Sequence, residues 1–190
     1  MLLCSTVKPL RVSLVEPVAY PRDSYESAME FCKWLTDTEW QKGLIASNQY
    51  YRLPTSKEWS KALQGTKTRL ERFPWGDVWP PPPKSGNFSE DGAYPIKGYV
   101  DGYKETAPVG SFTANSIGLY DMSGNVNELC SDVYHDKYHG ADSYLHVFRG
   151  GSFRDSLPEY LESEHIGGGQ RIDSELGFRS VLVVANSGSH

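Results

Sequence analysis

The chain has 190 residues, 38% hydrophobic and 23% charged, which is enough for one globular domain with a buried core. Its formal net charge is −5 and its 19 Lys and Arg residues are scattered, so neither points to a nucleic-acid backbone as partner. No stretch approaches the roughly 18 apolar residues of a membrane span.

Aromatic residues make up 13% of the chain, beside 18 Gly and 12 Pro, a composition of short strands and long ordered loops. The first residues alternate apolar and polar through Leu10, Val12, Leu14 and Val18, and predict one or two strands ending at Pro17 and Pro21. Met1-Leu2-Leu3-Cys4-Ser5 looks like a lipoprotein cleavage box but lacks a basic and an apolar region, so it reads as a plain N-terminus. The compartment stays open between the cytoplasm and a cell surface reached through a missing segment. From Asp23 to Leu35 the spacing is helical, with Ala28, Phe31, Cys32 and Leu35 on one face and a capping box at Asp23 and Glu26. A second box, Thr55 with Glu58, opens a helix running to about Leu63.

Phe73 to Pro83 holds Trp75, Trp79 and four successive prolines, Pro80 to Pro83, and predicts ordered loop, because proline cannot donate to a sheet ladder. Asn87 to Phe112 is rich in Gly, Asp and Tyr. Short strands are expected at Gly118–Asp121, Asn127–Asp132, His146–Gly150 and Gly177–Val184, and Ala185 to His190 reads as a frayed tail. There is no internal repeat and no second domain, so residues 1–190 are read as one unit.

Three cysteines, Cys4, Cys32 and Cys130, are too few and too scattered for a disulfide framework or a zinc site. Cys32 reads as a small buried hydrophobe. Five histidines are present. His135 and His139 have i,i+4 spacing, but Asp136, Tyr138 and Gly140 around them suggest loop, so they read, with His146 and His165, as surface histidines.

Six islands, taken in order, resemble the formylglycine-generating-enzyme (sulfatase-modifying factor) family. They are Tyr51-Arg52-Leu53-Pro54-Thr55 with Glu58-Trp59; Phe73-Pro74-Trp75-Gly76; Ala107 to Phe112; Gly118 to Val126; Arg149-Gly150-Gly151-Ser152-Phe153; and Gly177-Phe178-Arg179. The resemblance implies an α+β fold of the C-type-lectin-like, sulfatase-modifying-factor type, with few helices, small antiparallel sheets and much ordered loop. It also implies structural calcium. One site would use Asp121 and Glu128 carboxylates with Gly124 and Val126 carbonyls. A second would use the Asn87 side chain, the Phe88 carbonyl, the Asp101 carboxylate and the Tyr103 carbonyl. Calcium takes such sets of hard oxygens. On spacing alone Asp121 and Asn125 read as residues capping turns rather than as metal ligands, and it is the resemblance that reverses this.

The family's active enzymes bind copper(I) through two cysteines upstream of the Gly-Phe-Arg strand, a metal that suits soft thiolates. Here Tyr160 to Arg171 has no cysteine, so copper is not expected and the chain reads as non-catalytic. An oxidoreductase of the formylglycine-generating type with a departed active site is the alternative. Residues 154–175 lie between two framework strands, where binding residues are commonly placed. The same framework is used by variable proteins of diversity-generating retroelements, whose changing side chains lie between those strands. That resemblance implies Asp155, Ser156, Tyr160, His165, Ile166, Gly168, Arg171, Ile172 and Asp173 as contacts to a protein or glycan ligand. Phe153, and Asn127-Glu128-Leu129, depart from the family's usual Trp-rich pattern.

Overall fold

The structure is a computed structural model that describes residues 24–89, 95–134, 145–169 and 174–185. The strands expected around Leu10 to Val18, the Asp23 cap, Cys4, His135, His139, Arg171, Ile172, Asp173 and the tail beyond residue 185 lie outside the described residues.

Helix α1 spans Ser24–Gln41, six residues beyond the expected end at Leu35. The polar extension is stabilised by tertiary bonds rather than by periodicity. Buried Thr36 donates to the Cys32 carbonyl (2.8 Å) and accepts from the Tyr51 amide (2.8 Å), and the Trp40 indole donates to the Gln49 carbonyl (2.7 Å). Ala28 and Cys32 are buried with Tyr51, Leu53 and Leu129 in one core cluster, and the Phe31 ring meets Phe178 edge-on. Strand β1, Gln49–Arg52, pairs antiparallel with β6, Val181–Val184.

Helix α2, Ser56–Gln64, has the capping box read from the sequence: Thr55 accepts from the Glu58 amide and Glu58 accepts from the Thr55 amide. Glu58 also takes a two-pronged bond from Arg52 at 2.7 and 2.8 Å, locking β1 to the start of α2. The buried face of α2, Trp59, Ala62 and Leu63, packs on Leu119, Met122, Cys130 and Val147.

The second sheet runs β4-β3-β2-β5. Strand β2 is Asn127–Tyr134, β3 is Leu145–Arg149, β4 is Gly167–Gly169 and β5 is Leu176–Phe178. Strands β2 and β3 are antiparallel, with a register shift between Leu129 and Val133, while β2 and β5 are parallel. Four-residue helix α3, Pro158–Leu161, drops buried Leu161 into a third cluster with Phe73, Phe88, Ile96 and Tyr99.

Three expectations are corrected, for two strands and for His146, and one strand was not expected at all. Gly118–Asp121 is loop, because Gly118 (φ 82°) and Asp121 (φ 53°) adopt left-handed backbone that a strand excludes. Gly177–Val184 is two strands in two sheets, divided where Arg179 turns its guanidinium inward. Strand β4 was unforeseen because glycine disfavours strands. Here it is required: a Cβ on Gly167 would lie 2.0 Å from the Phe148 ring, and one on Gly168 would lie 2.0 Å from the Tyr134 ring. His146 is likewise no free surface histidine. Its ring stacks on Tyr25 at 3.5 Å and its Nδ1 is buried.

The Arg52 hydrogen bonds hold the Glu58 carboxyl below its ordinary value of 4.5, at about 2. The unfolded chain therefore binds this proton first. Glu58's contribution to stability is complete above pH 4.5 and is lost as the pH falls through about 2. Melting temperatures of wild type and Glu58→Gln, compared across that window, should differ at neutral pH and converge in acid. A difference that does not change with pH would contradict this.

Candidate functional site

The centre of the molecule is a buried chain of polar side chains. Glu128 (3% exposed) on β2 faces Arg179 (1% exposed), which grips both carboxylate oxygens through Nε and Nη2. The Trp59 indole donates to Glu128 Oε2 at 2.6 Å. The Trp59 ring in turn lies 4.8 Å under the buried guanidinium of Arg149. Among the described residues Arg149 has no carboxylate partner. Its Nη1 donates to Ser56 Oγ (2.6 Å) and its Nη2 to the Ser163 carbonyl (2.7 Å). Burial pushes the Arg149 guanidinium below its ordinary value, as expected where water is replaced by an indole face.

One end of this chain reaches the turn before β2. Arg179 Nη2 lies 3.3 and 3.4 Å from the Tyr120 and Asp121 carbonyls. The turn needs left-handed backbone at Asp121, Gly124 and Asn125. At Gly124 a Cβ would sit 2.2 Å from the Asn87 carbonyl oxygen, so only glycine fits. Asp121 and Asn125 act across loops rather than as local turn caps. Asp121 Oδ2 accepts from the Gly110 amide (2.7 Å), and Asn125 Oδ1 accepts from the Ala107 amide (2.8 Å) while its Nδ2 donates to the Ala107 carbonyl (3.2 Å).

The second set of expected metal ligands is also gathered. The two oxygens of Asp101 accept from the Phe88 and Tyr103 amides, each at 2.8 Å. Fully buried Asn87 donates to the Glu105 carbonyl (2.7 Å) and to Asn125 Oδ1 (3.2 Å). Asn87 Oδ1 and Asp121 Oδ1 are among the buried side-chain oxygens with no hydrogen-bond partner, beside the Ser123, Ser163 and Ser180 hydroxyls. The first two lie one in each expected calcium set. An unsatisfied buried acceptor suits a hard cation. Glu128 suits one less, since its carboxylate already takes Trp59 and Arg179. Burial raises the Asp121 carboxyl above its ordinary value, and the Glu128 charge adds to this.

The other end of the chain holds the late loop. Besides Arg149, the Arg72 carbonyl accepts from the Ser163 amide (2.7 Å), and Arg72 Nε pairs with Glu162 (2.9 Å). On this pinned support Tyr160 (44% exposed) and Ile166 (47% exposed) face outward, and half-buried His165 lies edge-on to Tyr160 at 5.4 Å. Burial, with the Arg149 charge, lowers the His165 pKa against the pull of nearby Asp155. The expected contacts therefore divide. Tyr160, His165 and Ile166 share one surface. Ser156 is half-exposed at the foot of the loop. Asp155 is turned inward, accepting from the Ser152 amide at 2.8 Å, and Gly168 is covered by the Tyr134 ring. Sequence reasoning assigned no role to Trp59, Arg149 or Arg179. The available signal was two arginines placed in otherwise apolar strand segments.

The described cysteines, Cys32 and Cys130, are buried and unpaired in different core clusters. Burial raises both thiols, Cys32 to about 11.

Removing one partner of a buried ion pair leaves the other uncompensated, at a cost of about 3–5 kcal/mol. Glu128→Leu and Arg179→Met should each lose stability on that scale in denaturant unfolding, and the double variant should lose less than either single. Additive losses would show that the pair is not coupled.

The chain was compared with known proteins. The family model described as "Sulfatase-modifying factor enzyme 1-like domain" matches residues 17–184. A formylglycine-generating enzyme of Thermomonospora curvata is 38% identical over 93 residues, 48% of this chain and 30% of that protein. The inactive C-alpha-formylglycine-generating enzyme 2 of Bos taurus is 31% identical over 150 residues, 77% of this chain and 42% of that protein. The chain thus spans less than half the length of these relatives. In three dimensions it is similar to Treponema denticola variable protein 1, with a TM-score of 0.52 and 26% identity over 73% of this chain and 49% of that one. Among the described residues, few helices, two small sheets and long side-chain-stitched loops accord with these likenesses, and the chain belongs to the sulfatase-modifying factor enzyme 1-like family.

Proposed function

We propose that this chain is a non-catalytic ligand-binding module on a C-type-lectin-like fold, and that its late loop binds a protein or glycan in the manner of a diversified variable protein. The observation that carries this reading is the contrast within the loop. Its backbone is tied down at Ser163 by Arg72 and Arg149, while Tyr160 and Ile166 are presented outward with half-buried His165 beside Tyr160. A rigid base with exposed aromatic and aliphatic side chains limits the entropy lost on binding. The likeness to a variable protein and to a relative described as inactive supports the same reading. The alternative, formylglycine generation, draws on the likeness to formylglycine-generating enzymes, but the described thiols are buried and their pKa values are raised.

Sequencing the 3′ end of the gene across a population of the source organism tests this directly. Substitutions should concentrate at exposed positions of residues 154–175 and spare Arg149 to Ser152 and Gly177 to Arg179. A uniform segment overturns the diversified reading. Incubation with copper(I), oxygen and a cysteine-bearing sulfatase peptide should leave the peptide mass unchanged. A mass loss matching formylglycine would favour the alternative.

We further propose that calcium is structural here, held at one site through Asp121 with the Gly124 and Val126 carbonyls, where the Glu128 carboxylate is already taken by Arg179 and Trp59, and at a second through Asn87, Phe88, Asp101 and Tyr103. Bound calcium would supply positive charge and extra coordination to loops that regular structure does not order. The raised Asp121 pKa fixes the sign of the test. Its contribution favours folding below the ordinary value of 3.8 and is lost as the pH rises through the raised value, so uncompensated Asp121 is a liability at neutral pH. Calcium at about a hundred times its dissociation constant should add about 2.7 kcal/mol to wild type for each site it fills. Asp121→Asn should lose the share of its own site while melting no lower than wild type in EDTA. A melting temperature indifferent to calcium and EDTA would contradict the proposal.

A further inference from the structure

Strand β4 is the outermost strand of its sheet, and among the described residues nothing pairs with its outer edge. Such an edge offers backbone donors and acceptors to an incoming extended chain. It carries no side chains of its own. The Phe148 ring lies over Gly167 and the Tyr134 ring over Gly168, and successive strand residues face opposite sides of a sheet. One aromatic ring therefore covers each face of β4, and a strand added beside it would meet those rings without intervening side chains.

The flank of this edge has a definite charge. Exposed Ile166 leads directly into β4, and exposed Tyr160 lies nearby beside His165. Glu159 and Glu164 are exposed and have no ion-pair partner among the described residues, whereas Arg154, the loop's described arginine, is tied to Glu175 at 2.8 Å. The surface is apolar and acidic, and complementary to a chain carrying apolar and basic side chains.

We infer that the ligand of the late loop is an extended peptide bearing Lys or Arg, which docks as an added strand on β4 with its basic residues toward Glu159 and Glu164. This rests on the reading of the late loop as the binding surface and narrows its ligand from macromolecule or glycan to peptide backbone.

The test uses the full chain and a fluorescein-labelled peptide of alternating Val, Thr, Lys and Arg, about six residues long, the length of an ordinary strand. Two controls accompany it: the same peptide N-methylated on alternate backbone nitrogens, which keeps charge and side chains, and an acidic counterpart. Anisotropy should show binding of the basic peptide, weakened at least about tenfold by N-methylation and comparably by Glu164→Lys, a difference of about 1.4 kcal/mol. The amides of Gly167–Gly169 should exchange more slowly in the complex. No binding at about millimolar peptide, equal binding of the N-methylated peptide, or protection elsewhere overturns the inference. A glycan panel separates it from the reading beneath it. Glycan binding lost in Tyr160→Ala would leave the late loop as the binding surface and remove the peptide. Binding of any probe that is indifferent to both Tyr160→Ala and Glu164→Lys would remove both.

Discussion

The buried contact of Glu128 with Arg179 and Trp59 is what the rest of this fold depends on. Two opposite charges and an indole N–H meet where solvent is excluded, and each satisfies part of the others' desolvation cost. The three residues come from β2, from the segment between β5 and β6, and from α2. A single cluster thereby fixes both sheets and a helix relative to one another. Hydrophobic contacts tolerate sliding, whereas a bidentate carboxylate–guanidinium pair does not.

From that cluster order spreads outward through side chains bonded to backbone. Fixing a residue's backbone costs about 1–2 kcal/mol, and the described residues between Asn87 and Gly124 have almost no regular structure to offset it. Asp101, Asn115, Asp121 and Asn125 take over that role. Asn115, for example, donates to the Ala62 carbonyl at the end of α2 (2.8 Å) and accepts from the Leu119 amide (3.0 Å). Asp121 and Asn87 each keep a buried oxygen free of any protein donor. In the opposite direction the Trp59 ring supports Arg149, and Arg149 holds the Ser163 carbonyl. The same buried chain thus ends at the turn proposed to hold calcium on one side and at the displayed loop on the other.

What could be read from the sequence follows from where the information is local. The Thr55–Glu58 capping box is written in four consecutive residues, and α2 formed as expected. The start of α1 carries helical spacing, but its extension to Gln41 depends on Thr36 and Trp40 meeting Tyr51 and Gln49, which no local pattern records. Val181 to Val184 was legible as a strand, although only Val181 is buried and Val184 is exposed, and the break at Arg179 required knowing that Glu128 lay opposite. Strand β4 was hidden because its reason for being glycine is the Phe148 and Tyr134 rings of other strands. For the candidate site, position within the late loop distinguished Tyr160 and Ile166 poorly from Asp155. All three lie in one loop with no local pattern to rank them, and only the turn at Ser152 draws Asp155 inward.

The central claim is that a buried polar chain holds the late loop as a rigid, displayed surface. Native-state hydrogen exchange of wild type against Arg149→Met addresses it most directly, because that change keeps side-chain volume over Trp59 while removing the bond to the Ser163 carbonyl. The expected result is exchange at residues 163–166 faster by about an order of magnitude, the signature of local opening, with the β1–β6 pairing unchanged. Uniform acceleration across both sheets, or no change in the loop, would contradict it.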